Sequence, residues 1–135
     1  MIDLILAAML QAAAPDPCNA AAQPATPQPG CPAWRSLGTE ANNASFYDPA
    51  SVVRGPNGFE IMTRTLYTDD QQYPIRSALI RARFDCVART ARATHITVFD
   101  AAGVNLGGGD IIPSQANRPE APGIALLAEY CPARR

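Results

Sequence analysis

The sequence predicts an α+β domain in which one carboxy-terminal helix packs on a face of an antiparallel sheet. The first observation is the alternation of apolar and polar side chains through residues 77–89, which is typical of a half-buried strand of an antiparallel sheet. The second is the recurrence of apolar residues every three or four positions in residues 119–132, which is typical of one helix face. The third is that each segment carries a cysteine on its apolar side, Cys86 and Cys131. A disulfide between them would tether the helix to the sheet.

Length and composition limit the chain to one small domain and limit its partners. The chain has 135 residues, enough for a single domain with a real core. All 11 basic residues are arginine, which fits the compositional bias of an alanine- and proline-rich chain. The net charge is −1, whereas a nucleic-acid-binding protein needs excess positive charge to displace counterions. We therefore expect no nucleic acid among its partners.

The amino terminus, residues 1–14, is predicted to be a signal peptide. Residues 4–14 form an apolar run of the length of a signal-peptide core, too short to span a bilayer, and end in three alanines that resemble a cleavage site. The start of the segment lacks the usual positive charge, so the alternative is an extension that stays attached. Residues 15–33 are rich in proline and alanine and predict a linker before a folded domain at residues 34–135.

Four cysteines in an exported protein predict two disulfides. Cys86 and Cys131 form one predicted pair, whose loop closure is worth about 4 kcal/mol in the chain-entropy model. Cys18 and Cys31 form the other. Cleavage after Ala22 would instead remove Cys18, and in a cytosolic protein all four thiols would be reduced. Because the cysteines lack metal-ligand spacing and the chain has one histidine, we predict neither a metal site nor a cofactor.

The domain is predicted to begin with short strands separated by turn residues. These strands occupy residues 33–38, 51–54 and 59–67, with residues 39–45 as a polar loop. Asp48 and Pro49 predict the turn before the second strand, because Asp bonds the backbone two residues on and Pro fixes its own backbone dihedral. Residues 55–58 read Gly-Pro-Asn-Gly, a hairpin-turn signal between the second and third strands.

The rest of the domain follows the central strand of residues 77–89. Residues 94–99 and 104–106 are predicted strands joined by an Asp-Ala-Ala-Gly turn. Three glycines at 107–109 are expected to break the sheet before a short edge strand at 110–112. The buried face of the helix is predicted to consist of residues at i, i+3, i+4 and i+7, namely Ile124, Leu127, Ala128 and Cys131. Pro119 or Pro122 suits the first turn of this helix and Pro132 ends it.

Several motifs follow one another in order between residues 34 and 131. They are Trp34 and Gly38, Tyr47-Asp48-Pro49 with Ser51 and Arg54, Tyr73 and Ser77 before the central strand, Asp85-Cys86, and Cys131. Together they resemble the surface-adhesin protein E family of bacterial envelope proteins. The resemblance implies an exported domain of about six antiparallel strands with a disulfide-tethered helix, and binding of host extracellular-matrix or plasma proteins. The Cys18–Cys31 extension lies outside the family pattern, and the family's basic binding segment has no lysine here.

The sequence contains no convincing active site. His95 is the only histidine and no serine lies in a Gly-x-Ser-x-Gly elbow, so we expect His95 to be a strand residue. Asp69, Asp70 and Asp110 are expected to be solvated loop charges. Residues 107–110 lack the lysine of a phosphate-binding loop and are expected to form a flexible turn. We therefore predict that the protein is not an enzyme.

The candidate ligand-binding residues are arginines that the alternation places on one strand face. They are Arg81, Arg83 and Arg89, with Arg92 nearby and Arg64 on a neighbouring strand. One interpretation is a guanidinium stripe for an acidic protein, a glycosaminoglycan or a phospholipid surface. The other is a solvated face whose arginines pair with acids such as Asp85 and Glu60, and the balanced overall charge favours it.

These features predict an exported, periplasmic or cell-surface module that binds a protein partner. The contact would use the arginine face and the loop at residues 68–72. The alternative is a periplasmic inhibitor or envelope-assembly factor that acts on a bacterial partner. No membrane span is predicted, and the oligomeric state is left open.

We expect the mature protein to lack residues 1–14 and to hold two disulfides, because the signal directs it to an oxidising compartment. The intact mass of the protein from the cell envelope, recorded before and after reduction, measures both properties. Four free thiols in the native protein would contradict export.

Overall fold

The computed structural model describes residues 31–112 and 115–132, which form a seven-stranded antiparallel sheet and one α-helix. The strands are β1 (Arg35–Thr39), β2 (Asn43–Tyr47), β3 (Val53–Arg54), β4 (Gly58–Tyr67), β5 (Ser77–Asp85), β6 (Thr90–Phe99) and β7 (Asn105–Asp110). The helix is α1 (Ala121–Tyr130). The predicted α+β class is confirmed, with seven strands where about six were expected.

The strands follow the spatial order β1-β2-β4-β5-β6-β7, and β3 lies beside β2 along the same edge of β4. A short 3-10 turn at Pro49–Ser51 carries the chain from β2 to β3. The Asp48 carboxylate accepts a hydrogen bond from the Ala50 amide at 3.0 Å, as the Asp-Pro signal predicts. The Ser51 hydroxyl donates to the Asp48 carbonyl at 2.7 Å. This turn lets two short strands cover one long strand.

The central strand β5 confirms the predicted alternation over most of its length. Ala82 and Phe84 are buried, whereas Arg81, Arg83 and Asp85 are exposed. The predicted end of the strand at residue 89 is wrong, because β5 ends at Asp85. The Asp85 carboxylate accepts hydrogen bonds from the amides of residues 87 and 88 at 2.8 and 2.9 Å, and these bonds turn the chain back into β6.

Three other strand boundaries differ from the prediction. The predicted loop at residues 39–45 contains the start of β2, because polar residues there alternate with Ala44 and Phe46. Strand β6 begins at residue 90 instead of 94, so that it pairs with all of β5. The glycines at 107–109 do not break the sheet but lie within β7. At Gly108 a β-carbon would meet the Ile96 carbonyl oxygen at 2.2 Å, so glycine permits the close pairing of β7 with β6.

The helix packs on one face of the sheet, but with a different buried face from the predicted one. Leu126 and Leu127 are buried, whereas Ile124 is 58% exposed and Ala128 is also exposed. The observed face therefore follows residues 123, 126, 127 and 130, one position earlier than predicted. Gly123 belongs to this face, and a β-carbon there would lie 2.5 Å from the Pro119 β-carbon, whereas the Phe84 ring, at 3.5 Å, would be in ordinary contact with it.

Aromatic residues and a disulfide fix the helix to the sheet. The Phe59 and Phe84 rings stack at 4.8 Å on neighbouring strands, and Tyr130 packs 5.3 Å from Phe59. The Tyr47 hydroxyl donates a hydrogen bond to the Glu129 carboxylate at 2.9 Å. The predicted Cys86–Cys131 disulfide is confirmed. Strand and helix are thus joined covalently as well as by packing.

Arg54 adds a second polar contact at the end of the helix. Its guanidinium donates to the Tyr130 carbonyl at 3.1 Å and lies 5.6 Å from the centre of the Tyr130 ring. Burial, followed by the nearby Glu129 carboxylate, raises the pKa of Tyr130 above its usual value. Arg54 thus contacts both the backbone carbonyl and the aromatic ring of Tyr130, the last residue of the helix.

The second predicted disulfide and the export segments fall mostly outside this description. Cys31 is disulfide-bonded, but Cys18 lies outside the described residues. The predicted signal peptide at 1–14 and most of the linker at 15–33 lie outside them as well. Their boundaries remain predictions.

We expect the Cys86→Ala/Cys131→Ala variant to lose roughly 2–5 kcal/mol of unfolding free energy, the usual effect of removing a native disulfide. Amide exchange should show a larger loss of protection in α1 than in β4 and β5, because the bridge anchors the helix while the strands keep their ladder. Val87→Ser, a change of an exposed neighbour, is the control. Equal loss of protection in helix and sheet would contradict this role.

Candidate functional site

On the sheet face opposite the helix, one half is apolar and is shielded from solvent by side chains. At its centre is Arg64, a β4 residue that is 1% exposed. Its guanidinium lies 5.2 Å from the centre of the Trp34 ring and 5.6 Å from that of Phe99. Phe46 and Leu79 are its register partners on the two neighbouring strands. Arg64 is therefore enclosed by aromatic and aliphatic groups and takes no part in an exposed arginine stripe.

The other half of this face carries the exposed arginines Arg81, Arg83 and Arg92, which we call the arginine face. Arg83 on β5 stands directly opposite Arg92 on β6 and opposite Glu60 on β4. Arg81 stands two residues before Arg83 on β5, with His95 opposite it on β6. Since side chains two residues apart share a sheet face, the three guanidinium groups occupy neighbouring positions.

The acids near the arginine face neutralise little of its charge. The Arg83 guanidinium is 3.6 Å from the Glu60 carboxylate, a distance too long for a hydrogen bond, and 62% of the Arg83 side chain is exposed. An exposed pair of this kind contributes little to stability. Within residues 31–112 and 115–132, no acid lies within ion-pair distance of Arg81 or Arg92. Asp85, an expected partner, instead accepts its hydrogen bonds from turn amides.

A cleft of about 500 Å³ opens beside Arg83 and Arg92. Its lining comes from the β3–β4 hairpin and from the facing ends of β4, β5 and β6. Besides the arginines, the lining includes apolar, polar and acidic side chains, namely Val53, Asn57, Thr90, Glu60 and Asp85. Val53 is 64% exposed, so an apolar group stands at the rim of a charged cleft. We call this space the hairpin cleft.

Arg89 does not lie on the arginine face, so its predicted place there is wrong. It lies in the β5–β6 turn with a φ of 57°, and its guanidinium donates to the Pro132 carbonyl at 3.3 Å. Arg92 takes its place. Recognition of the tight β5–β6 hairpin would have predicted the position of Arg92. If residues 85 and 90 are paired at the turn, residue 83 lies opposite residue 92.

His95 is a strand residue, as predicted, and it pairs with an acid that the sequence did not connect to it. Its Nδ1 lies 2.8 Å from the Asp110 carboxylate on β7. Asp110 is therefore a strand residue and not a loop charge. Within the described residues, neither side chain makes a hydrogen bond to a serine, threonine or cysteine hydroxyl or thiol. The same part of the chain contains no group of three or more potential metal ligands.

The loop expected to join the arginine face in one contact lies at the other end of the sheet. In that loop Asp70 pairs with Arg76 at 2.9 Å, and Tyr73 is 78% exposed. Arg83 lies six positions along β5 from Ser77, which is beside the loop, so the two regions are roughly 20 Å apart. A contact that includes both regions must extend over at least that distance, which is within the size of a standard protein–protein interface.

The comparisons with known proteins place the chain in a family. Neither the curated proteins nor the solved structures include a significant match. No helix in the described residues has the length and apolar character needed to cross a bilayer. A family model described as surface-adhesin protein E matches residues 34–125, which include all seven strands and the first half of the helix. The chain therefore belongs to the surface-adhesin protein E family.

Proposed function

We propose that the protein is an exported, non-catalytic module that binds a protein partner at the bacterial envelope or cell surface. Its family supports a surface-adhesin role. The Cys86–Cys131 disulfide supports export, because such bridges persist in oxidising compartments. Host matrix and plasma proteins are the partner classes to test first, since they are the ones that the resemblance implies.

The observation that carries this proposal is the cluster of three exposed arginines, Arg81, Arg83 and Arg92, on one sheet face. Four arginines have structural contacts with rings, carbonyl groups or an acid, namely Arg54, Arg64, Arg76 and Arg89. Arg81 and Arg92 have no such contact of their guanidinium groups in the described residues, and Arg83 has one long contact. Exposed arginines are enriched among the residues that dominate protein–protein binding energy. Their clustering on an uncovered sheet face supports a docking role.

The surfaces of the sheet that are already covered also favour the arginine face as the docking surface. The helix covers the opposite side of the sheet, and Trp34 closes the apolar half of this side over Arg64. A partner that approaches the sheet therefore meets the arginine face and the hairpin cleft together. Electrostatic complementarity there would raise the association rate as well as the specificity.

We expect Arg81→Glu to weaken partner retention by roughly tenfold or more, because it places a negative charge where the partner is expected to be acidic. The measurement is retention of matrix proteins, plasma proteins and envelope extract on the immobilised mature protein. Arg35→Glu is the matched control, since Arg35 is exposed on β1 and its register partner is the helix-contacting Tyr47.

Equal weakening by the two variants would show that the arginine face is not the contact. Retention of a bacterial envelope enzyme alone would replace the surface-adhesin role with that of a periplasmic inhibitor. Retention of nothing by the wild-type protein would overturn the proposed function.

A further inference from the structure

We propose that Arg83 and Arg92 form a clamp for a carboxylate on an acidic side chain of the protein partner. The clamp deepens the proposed function and rests on it, since it names the chemistry that the docking surface recognises. It differs from the general arginine face in using two specific residues and the cleft beside them.

The geometry of the clamp comes from strand register. Arg83 and Arg92 are directly paired across β5 and β6, and both line the hairpin cleft. Directly opposite residues in an antiparallel pair have β-carbons about 4.5–5.5 Å apart. Two long guanidinium side chains that rise from such a pair can therefore reach one anion placed between them. A carboxylate can accept two parallel N–H bonds from one planar guanidinium and further hydrogen bonds from the other, which gives the contact direction as well as strength.

The energetics of the unbound pair favour the arrival of negative charge. Like charges directly opposite each other destabilise a sheet. Glu60 could relieve the repulsion, but its carboxylate is 3.6 Å from Arg83 and stands on the side of β5 away from Arg92. A carboxylate between the two arginines would replace this repulsion with two attractions. The pair is thus better suited to a ligand than to the isolated fold.

The charges around the clamp favour a protein carboxylate over a polyanion. Glu60 and Asp85 line the same cleft, and Asp110 stands beyond His95 on the same half of the sheet. A sulfated polysaccharide or a nucleic acid needs a continuous positive track, and these acids would interrupt it. A single acidic side chain avoids them. Val53 at the rim offers an apolar contact for the residue next to that acid.

The clamp is tested on the full mature protein with a blocked peptide of sequence Val-Glu-Glu-Val. The readout is the NMR shift of each arginine Nε–Hε group during titration. We expect the Arg83 and Arg92 signals to move with the Glu peptide and not with a Val-Gln-Gln-Val peptide. Arg83→Gln and Arg92→Gln should each weaken the binding roughly tenfold, whereas Arg35→Gln should leave it unchanged.

A stability measurement separates recognition from a structural role. We expect Arg92→Gln to keep or raise the urea midpoint of unfolding, because it removes a like-charge pair. A lower midpoint would show that Arg92 holds the sheet together, and the clamp would be wrong. A heparin hexasaccharide that moves both signals at lower concentration than the Glu peptide would also overturn it, in favour of a sulfated glycan.

The clamp and the proposed function fail in different ways. If neither signal moves with any probe while the wild-type protein still retains its partner, the clamp is wrong and the proposed function stands. The same holds if the Arg83→Gln/Arg92→Gln variant retains the partner as well as wild type. If the wild-type protein retains no protein, the function itself is wrong.

Discussion

The attachment of a ten-residue helix to the sheet is the constraint on which the rest of the structure depends. A helix of that length is marginal in water by itself, because few hydrogen bonds repay the cost of starting it. The Cys86–Cys131 bridge and the packing of Leu126 and Leu127 on Phe84 and its neighbours hold it in place. Once the helix occupies one face of the sheet, only the other face of the sheet itself is open to a partner.

The edges of that sheet are shaped against pairing with another strand. On β1 the register shifts around residue 37, next to Gly38 with a φ of +124°. On β7 it shifts around residue 106, next to Gly107 with a φ of +128°. A bulge twists an edge strand away from the flat geometry that strand addition needs. The same device on β1 and β7, the two ends of the strand order, disfavours docking by strand addition there.

The sequence predicts those parts of the fold that one local pattern determines. Alternation identifies β5, the Asp48-Pro49 pair identifies the turn before β3, and two cysteines on apolar positions identify the bridge. It fails where a contact with another strand decides the outcome. The glycines of β7 look like a sheet breaker until their close approach to β6 is known. The helix face is misjudged by one position, since the spacing of apolar residues does not show that Gly123 lies on the side of the helix that faces the Phe84 ring.

The candidate site shows the same limit. Spacing along one strand joins Arg81 to Arg83 and wrongly adds Arg89, because the strand was extended through its turn. Arg92 joins them only through the register of the β5–β6 hairpin, which depends on where that turn closes. Two arginines face each other there because the hairpin closes between Asp85 and Thr90. A sheet selected only for stability would place an acid at one of these positions, since cross-strand pairs of opposite charge stabilise a sheet and pairs of like charge destabilise it. The two guanidinium groups beside an open cleft instead suit a negative group that arrives from another molecule, as the proposed clamp requires.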